Sequence, residues 1–71
     1  MKKPAPLFWL MTIQTPNRAG YNITDYQGVT TPAPGTTRLD LFNQIRNEIY
    51  REYPQSQGGA VIAFDLQANE L

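Results

Sequence analysis

The feature that most constrains the fold is the segment Thr37–Tyr53, in which apolar residues recur with the period of an α-helix. At about 100° per residue, the members of one stripe are Leu41, Phe42, Ile45, Ile49 and Tyr53. Thr36 or Thr37 can cap the first turn, and Thr37 with Asp40 forms a short capping box. Pro54 ends the segment because it has no amide hydrogen to donate. We predict one amphipathic helix that buries a single side.

Three further segments have the composition and alternation of β-strands, namely Leu7–Thr15, Tyr21–Thr31 and Ala60–Leu66. The first is the most apolar, so we expect it at the centre of a sheet. The second is mostly polar, which favours an edge position, and Gly28 within it suggests a bulge or a bend. In the third, Ile62, Phe64 and Leu66 share one parity. A turn over Pro16–Gly20 joins the first two strands into a hairpin.

Chain direction then limits the topology to an α+β fold of the β-β-α-β type. The helix returns the chain along the sheet, so the third strand runs antiparallel to the first. We predict a three-stranded sheet of order 2-1-3 with the helix packed on one face. The predicted domain covers residues 7–67, between a flexible arm at residues 1–6 and a tail at residues 68–71.

The composition argues against most chemistries. The 71 residues include no cysteine and no histidine, which removes disulfides, thiolate metal sites and the usual general base. Glu48 and Glu52 lie four residues apart, but Asp65 is too loosely placed to complete a metal site, and pairing of Glu48 with Arg51 is the simpler interpretation. We expect no catalytic residue, no bound metal, no cofactor and no small-molecule substrate.

The best candidate for function is the sheet face that a single helix leaves open. If Trp9 and Ile62 face the helix, Phe8 and Leu10 face outward, with Val61 as a further outward candidate. If the parity is reversed, Trp9 and Met11 are outside. Tyr26 of the second strand is a further aromatic candidate on the sheet. Folding of the arm or tail over this face remains an alternative. On the helix, Leu39 and Tyr50, with Tyr53 nearby, form a flank that either contacts a partner or wraps the edge of the core.

These observations favour a small non-enzymatic protein-interaction module, resembling an adaptor or inhibitor, that forms a homodimer or binds a protein partner through the open face. The alternative is a single-stranded nucleic-acid binder that stacks bases on sheet aromatics, with Phe8, Trp9, Tyr21 and Tyr26 as candidates. Six basic and six acidic residues cancel, so nucleic acid is the weaker hypothesis. The apolar run Leu7–Met11 is too short for a signal peptide or a membrane span, and we expect a cytoplasmic protein.

Three stretches carry a resemblance, and they are spread over nearly the whole chain. They are Trp9–Gln14, the pair Thr37-Arg38 at the start of the helix, and Phe64–Leu71. In these stretches the chain resembles short uncharacterised proteins of actinomycetes and their mobile elements. The resemblance implies a compact domain and assigns no role to any residue.

Overall fold

A computed structural model of the protein describes residues 5–71. The elements are β1 (Leu7–Asn17), β2 (Gly20–Thr30), α1 (Arg38–Glu52), a short 3-10 turn at Pro54–Ser56, and β3 (Ala60–Ala68). The strands form one sheet of order β2-β1-β3, and β1 runs antiparallel to both neighbours. The predicted α+β fold, with its strand order and one helix, is confirmed. Residues 1–4 of the predicted arm lie outside the described residues.

The hairpin between β1 and β2 is tighter than the sequence indicated. Its turn consists of Arg18 and Ala19 alone, because Asn17 and Gly20 already pair across the ladder. The side-chain Oδ1 of Asn17 accepts a hydrogen bond of 2.8 Å from the amide of Ala19, as short polar side chains do in turns. Gly20 has a φ of 136°, which is unfavourable for a side-chain-bearing residue.

Polar contacts define both ends of helix α1. Thr37 is the N-cap: its Oγ1 accepts from the amide of Asp40, and a carboxylate oxygen of Asp40 accepts from the amide of Thr37, both at 3.1 Å. This reciprocal pair is the predicted capping box. After Tyr53 the chain enters the 3-10 turn, where the buried Ser56 Oγ donates to the Tyr53 carbonyl at 2.7 Å.

The core lies between β1 and the helix. Its buried members are Met11, Ile13, Leu41, Ile45 and Ile49. Partly buried apolar side chains complete it: Leu7, Trp9, Tyr26, Phe42, Tyr50, Val61, Phe64 and Leu66. Phe42 meets Phe64 edge to face at 5.2 Å between ring centroids, a favourable aromatic geometry. The odd-numbered residues of β1, including Trp9, therefore face the helix.

Two predictions about sheet irregularity are wrong. The pairing of β1 with β2 runs without interruption through Gly28, so the expected bulge is absent from β2. The register shift lies instead on β3, where Thr12 pairs with Ala63 and Ile13 pairs with Val61. Ile62 is the extra residue. A bulge resets the alternation, so Val61 packs on the core and Ile62 does not share a face with Phe64 and Leu66.

Candidate functional site

The sheet face away from the helix is the first candidate surface. The even-numbered residues of β1 belong to it, beginning with Phe8, Leu10 and Thr12. Directly paired residues of antiparallel strands project to the same face, so the register identifies their neighbours. Phe8 is paired with Val29 and Gln67. We call this surface the open face.

Five apolar residues of the open face form a diagonal. Two others, Tyr21 and Ile23 of β2, pair with Pro16 and Gln14 nearer the hairpin and are 67% and 63% exposed. The members of this diagonal stripe, from β2 across β1 to β3, are Val29, Phe8, Leu10, Ala63 and Ile62. Val29 is 55% exposed and Ile62 49% exposed, while Phe8 and Leu10 between them are half-buried. The bulge is what brings Ile62 to the end of the stripe, because it leaves Ile62 and Ala63 together opposite Thr12.

Two carboxylates flank the diagonal stripe. Asp25 on β2 is paired with Thr12, and Asp65 on β3 is paired with Leu10, so they lie on opposite sides of it. Thr12 Oγ1 donates to Asp25 Oδ1 at 2.7 Å, and Gln67 Nε2 donates to Asp65 Oδ2 at 2.9 Å. Each carboxylate thus already accepts a hydrogen bond from a neighbouring side chain. The three strands contain no lysine and no arginine, so these two groups are their only charges.

The C-terminal tail does not cover the open face. The amide of Asn69 donates to the Pro6 carbonyl at 3.1 Å, which extends the ladder one step beyond β3. Leu71 is fully exposed at the end of the chain. The sequence left open whether the tail folds over the sheet, and in the structure it continues along the sheet instead.

The second surface is a groove between the edge strand β2 and helix α1. It consists of two adjoining clefts of about 360 Å³ and 310 Å³, both lined by Trp9 and Glu48. Tyr26 of β2 and Tyr53 at the end of the helix form one wall, with 5.1 Å between ring centroids. Tyr53, predicted within the buried stripe of the helix, is 46% exposed because it caps the helix end and leans on Tyr26. We call this surface the β2–α1 groove.

Carboxylates lie on the helical side of the groove. Glu48 and Glu52 both line it, and Glu48 accepts a hydrogen bond from Arg51, as the sequence indicated. That contact raises the pKa of the exposed Arg51 guanidinium. Within residues 5–71, Glu52 has no side-chain partner, and no residue that lines the groove is basic.

The six residues predicted for protein contact therefore separate into three places. Phe8 and Leu10 are on the open face, whereas Trp9 and Tyr26 line the β2–α1 groove. On the helix flank, Leu39 is 65% exposed and Tyr50 is half-buried, with its hydroxyl donating to the Gly59 carbonyl at 3.2 Å. The sequence analysis placed Ile62 on the helix-facing side of the sheet, and it placed Tyr53 in the buried stripe near the helix flank. It therefore assigned neither residue to the surface on which it lies. Only Tyr53 had a signal, since it directly precedes the helix-ending Pro54.

Acidic residues do not converge into a metal centre in the part of the chain that is described. Asp65 projects from the open face, whereas Glu48 and Glu52 lie on the helix that packs against the other face. Across residues 5–71, no group of three potential metal-binding side chains was found. In the same residues, no helix has the length and apolar character needed to cross a membrane.

Comparisons with known proteins identify no relative from which a role could be inferred, so a role is argued from these surfaces. No protein-family model, curated protein or solved structure matches the chain.

Proposed function

We propose that this protein is a small non-catalytic interaction module that self-associates through the open face. The observation that carries the proposal is the diagonal stripe. It places Val29 and Ile62, each about half exposed, at the ends of a continuous apolar band with Phe8 and Leu10 at its centre. Within residues 5–71 no other element covers this band, and exposed apolar patches of this kind are typical of protein-contact surfaces.

The charge pattern of the open face is compatible with a second copy. Two such sheets pack with their strands within about 30° of each other, which lets the two stripes overlap. Asp25 and Asp65 flank the stripe, so they fall toward the rim of the contact. Their existing hydrogen bonds from Thr12 and Gln67 reduce the cost of partly burying them.

The size of the face indicates a weak dimer. Strands about 4.8 Å apart and about 3.4 Å per residue give three strands of this length a face of roughly 14 by 35 Å. That is about 500 Å², below the roughly 800 Å² that each partner contributes to an interface of standard size. We therefore propose a dimer that dissociates on dilution.

An adaptor-like or inhibitor-like role in the cytoplasm completes the proposal. The absence of cysteine from the sequence supports the location, and the absence of histidine supports a role without acid–base catalysis. The single serine is unsuited to nucleophilic catalysis, because Ser56 is buried and its hydroxyl donates to the Tyr53 carbonyl.

Single-stranded nucleic acid is a less favourable ligand for the open face. A sheet that binds single strands combines stacking aromatics with basic groups that contact phosphates. The strands here carry two carboxylates and no basic residue. Of the four aromatic candidates, Trp9 and Tyr26 lie on the helix side of the sheet, which leaves only Phe8 and Tyr21 on the open face.

Sedimentation equilibrium over a wide range of protein concentration tests the proposal. We expect the apparent mass to rise toward that of a dimer as concentration increases. The Ile62→Lys variant should remain monomeric, because it adds a charge at the end of the diagonal stripe. Its matched control is Leu71→Lys, which makes the same change at the fully exposed chain end and should self-associate like the wild type.

Two outcomes would overturn the proposal. One is a monomer at every concentration. The other is a dimer that Ile62→Lys leaves intact but Leu39→Lys dissolves, since that result would assign the contact to the helix flank. Circular dichroism of each variant confirms that the fold is retained.

A further inference from the structure

Strand β2 is an edge strand with few of the features that usually protect a sheet edge. Its one charged residue is Asp25, whose carboxylate already accepts a hydrogen bond from Thr12. The strand is 11 residues long, pairs regularly with β1 throughout, and contains no proline and no lysine. Among residues 5–71, no strand pairs with its outer side. The other edge strand, β3, is shorter and carries the bulge at Ile62. The amides and carbonyls on the outer side of β2 are thus available to a further strand.

The β2–α1 groove runs beside this edge on the helix side of the sheet. Trp9 lies on β1, one strand further in, but its indole ring lines the groove because Gly28 of β2 has no side chain to cover it. A Cβ on Gly28 would lie 2.9 Å from the indole Cζ2. With no side chain at position 28, the indole contributes to both clefts. Trp9, Tyr26 and Tyr53 together give the groove an aromatic lining.

We propose that the edge of β2 and the β2–α1 groove together bind an extended segment of another protein that carries arginine or lysine at alternate positions. The segment adds to the sheet as a fourth strand through main-chain hydrogen bonds. Alternate side chains of an added strand point to the same side, about 6.8 Å apart, and on the helix side they enter the groove. The site borders the open face along β2, since Asp25 and Val29 also line its clefts, but it does not include Ile62 on the far strand β3.

The lining of the groove selects for cationic side chains. Aromatic ring faces attract guanidinium and ammonium groups, and carboxylates pair with them. Glu52 is available for such a pair, and Glu48 adds negative charge although Arg51 partly neutralises it. Among the described residues, none that lines either cleft is basic, so none repels the incoming charge.

A second copy of this chain does not meet that requirement through its own strands. If two β2 strands paired, the side chains directed to the helix side would be those of the even-numbered residues, from Asn22 to Thr30. None of these is charged, and the other two strands also lack lysine and arginine. Charge complementarity therefore favours a different protein as the partner.

Trp9 is the only tryptophan of the chain, so its fluorescence reports directly on the groove. The probe is a blocked peptide in which threonine alternates with arginine. We expect a saturable change in emission, and roughly tenfold weaker binding or none for the matched peptide that alternates threonine with glutamate. No change with the arginine peptide, or equal binding of both peptides, would overturn the proposal.

Backbone methylation tests strand addition itself. In an added strand, the amides of alternate residues point toward β2 and the others point away. Methylating all amides of one residue type should therefore abolish binding, whereas methylating those of the other type should leave it nearly unchanged. Equal tolerance of both peptides would rule out pairing along β2.

Two protein variants complete the test. Glu52→Lys should weaken binding of the arginine peptide roughly tenfold. Glu70→Lys, which makes the same charge change in the exposed tail, should leave that binding unchanged. The Ile62→Lys variant should still bind the peptide, since Ile62 lies on the far strand from the groove. Peptide binding without self-association, or the reverse, separates failure of one proposal from failure of the other. Equal loss in Glu52→Lys and Glu70→Lys would count against the groove.

Discussion

The indole ring of Trp9 lies against Gly28 on the neighbouring strand, so closely that a Cβ at position 28 would be 2.9 Å from the ring. The two residues are paired directly across the β1–β2 ladder. An aromatic ring over a strand glycine covers backbone that the glycine would otherwise expose. This pair explains why a glycine occurs within a regular strand.

The Trp9–Gly28 contact predicts that the effect of Gly28→Ala on the free energy of unfolding depends on Trp9. The substitution should destabilise the wild-type chain but not a chain that lacks the indole. Gly28→Ala in the wild-type chain should lower the free energy of unfolding by about 1 kcal/mol, because the indole must move. In a Trp9→Leu background the same substitution should be neutral or stabilise by about 0.5 kcal/mol, since alanine suits a strand better than glycine. Urea unfolding followed by circular dichroism measures all four proteins. Equal effects in the two backgrounds would mean that the ring does not constrain position 28.

The surroundings of Gly59 predict that a substitution there lowers the free energy of unfolding more than one at Gly28. A Cβ there would lie 2.6 Å from the Cγ2 methyls of both Ile13 and Thr15, and 3.0 Å from the Ser56 carbonyl oxygen. The carbonyl belongs to the backbone and Ile13 is buried, so neither neighbour can move cheaply. We expect Gly59→Ala to cost about 2–3 kcal/mol, more than Gly28→Ala, in the same urea experiment. A cost below that of Gly28→Ala would contradict this ranking.

The capping box predicts unequal roles for two adjacent threonines. Thr37→Ala should lower the free energy of unfolding by about 1 kcal/mol, because it removes the acceptor for the Asp40 amide. Thr36→Ala is the matched control: Thr36 contributes a backbone hydrogen bond to Ala33, and alanine retains that bond. Thermal unfolding should separate the two variants, and equal destabilisation would show that the cap has been assigned to the wrong threonine.

A substitution at Thr12 tests both the free energy of unfolding of the monomer and the proposed dimer. Thr12→Val removes the hydrogen bond to Asp25, and because Thr12 is only 9% exposed it adds little apolar surface to the open face. We expect a cost of about 1 kcal/mol in the monomer and self-association close to that of the wild type. Sedimentation equilibrium of Thr12→Val beside the wild type measures the association. Weaker association would mean that the Thr12–Asp25 bond, and not the apolar band, organises the contact.

Much of the fold could be predicted because its signals are local. The period of Leu41, Ile45 and Ile49 indicated the helix and its buried side, and Pro54 and the Thr37 cap marked its ends. The apolar character of the first strand placed it in the centre of the sheet, which the order β2-β1-β3 confirms. These inferences needed only spacing and residue type.

The candidate surfaces were only partly predictable because they depend on pairing across strands. Gly28 signalled an irregularity, but the space it leaves is filled by Trp9 from the next strand. The bulge fell at Ile62, where no glycine or proline marks it. Tyr53 left the expected core stripe because the helix ends before it and Tyr26 offers a ring to pack against.

The sequence by itself therefore determined the order of the elements, the ends of the helix and the absence of basic residues from all three strands. Only the tertiary structure decided which face of β1 the helix covers, and with it that Phe8 and Leu10 lie outside while Trp9 lies inside. The physical reason is that alternation defines two faces of a strand without ranking them. Which face is buried follows from how Trp9, Met11 and Ile13 pack together against the helix, and that is a property of the whole fold.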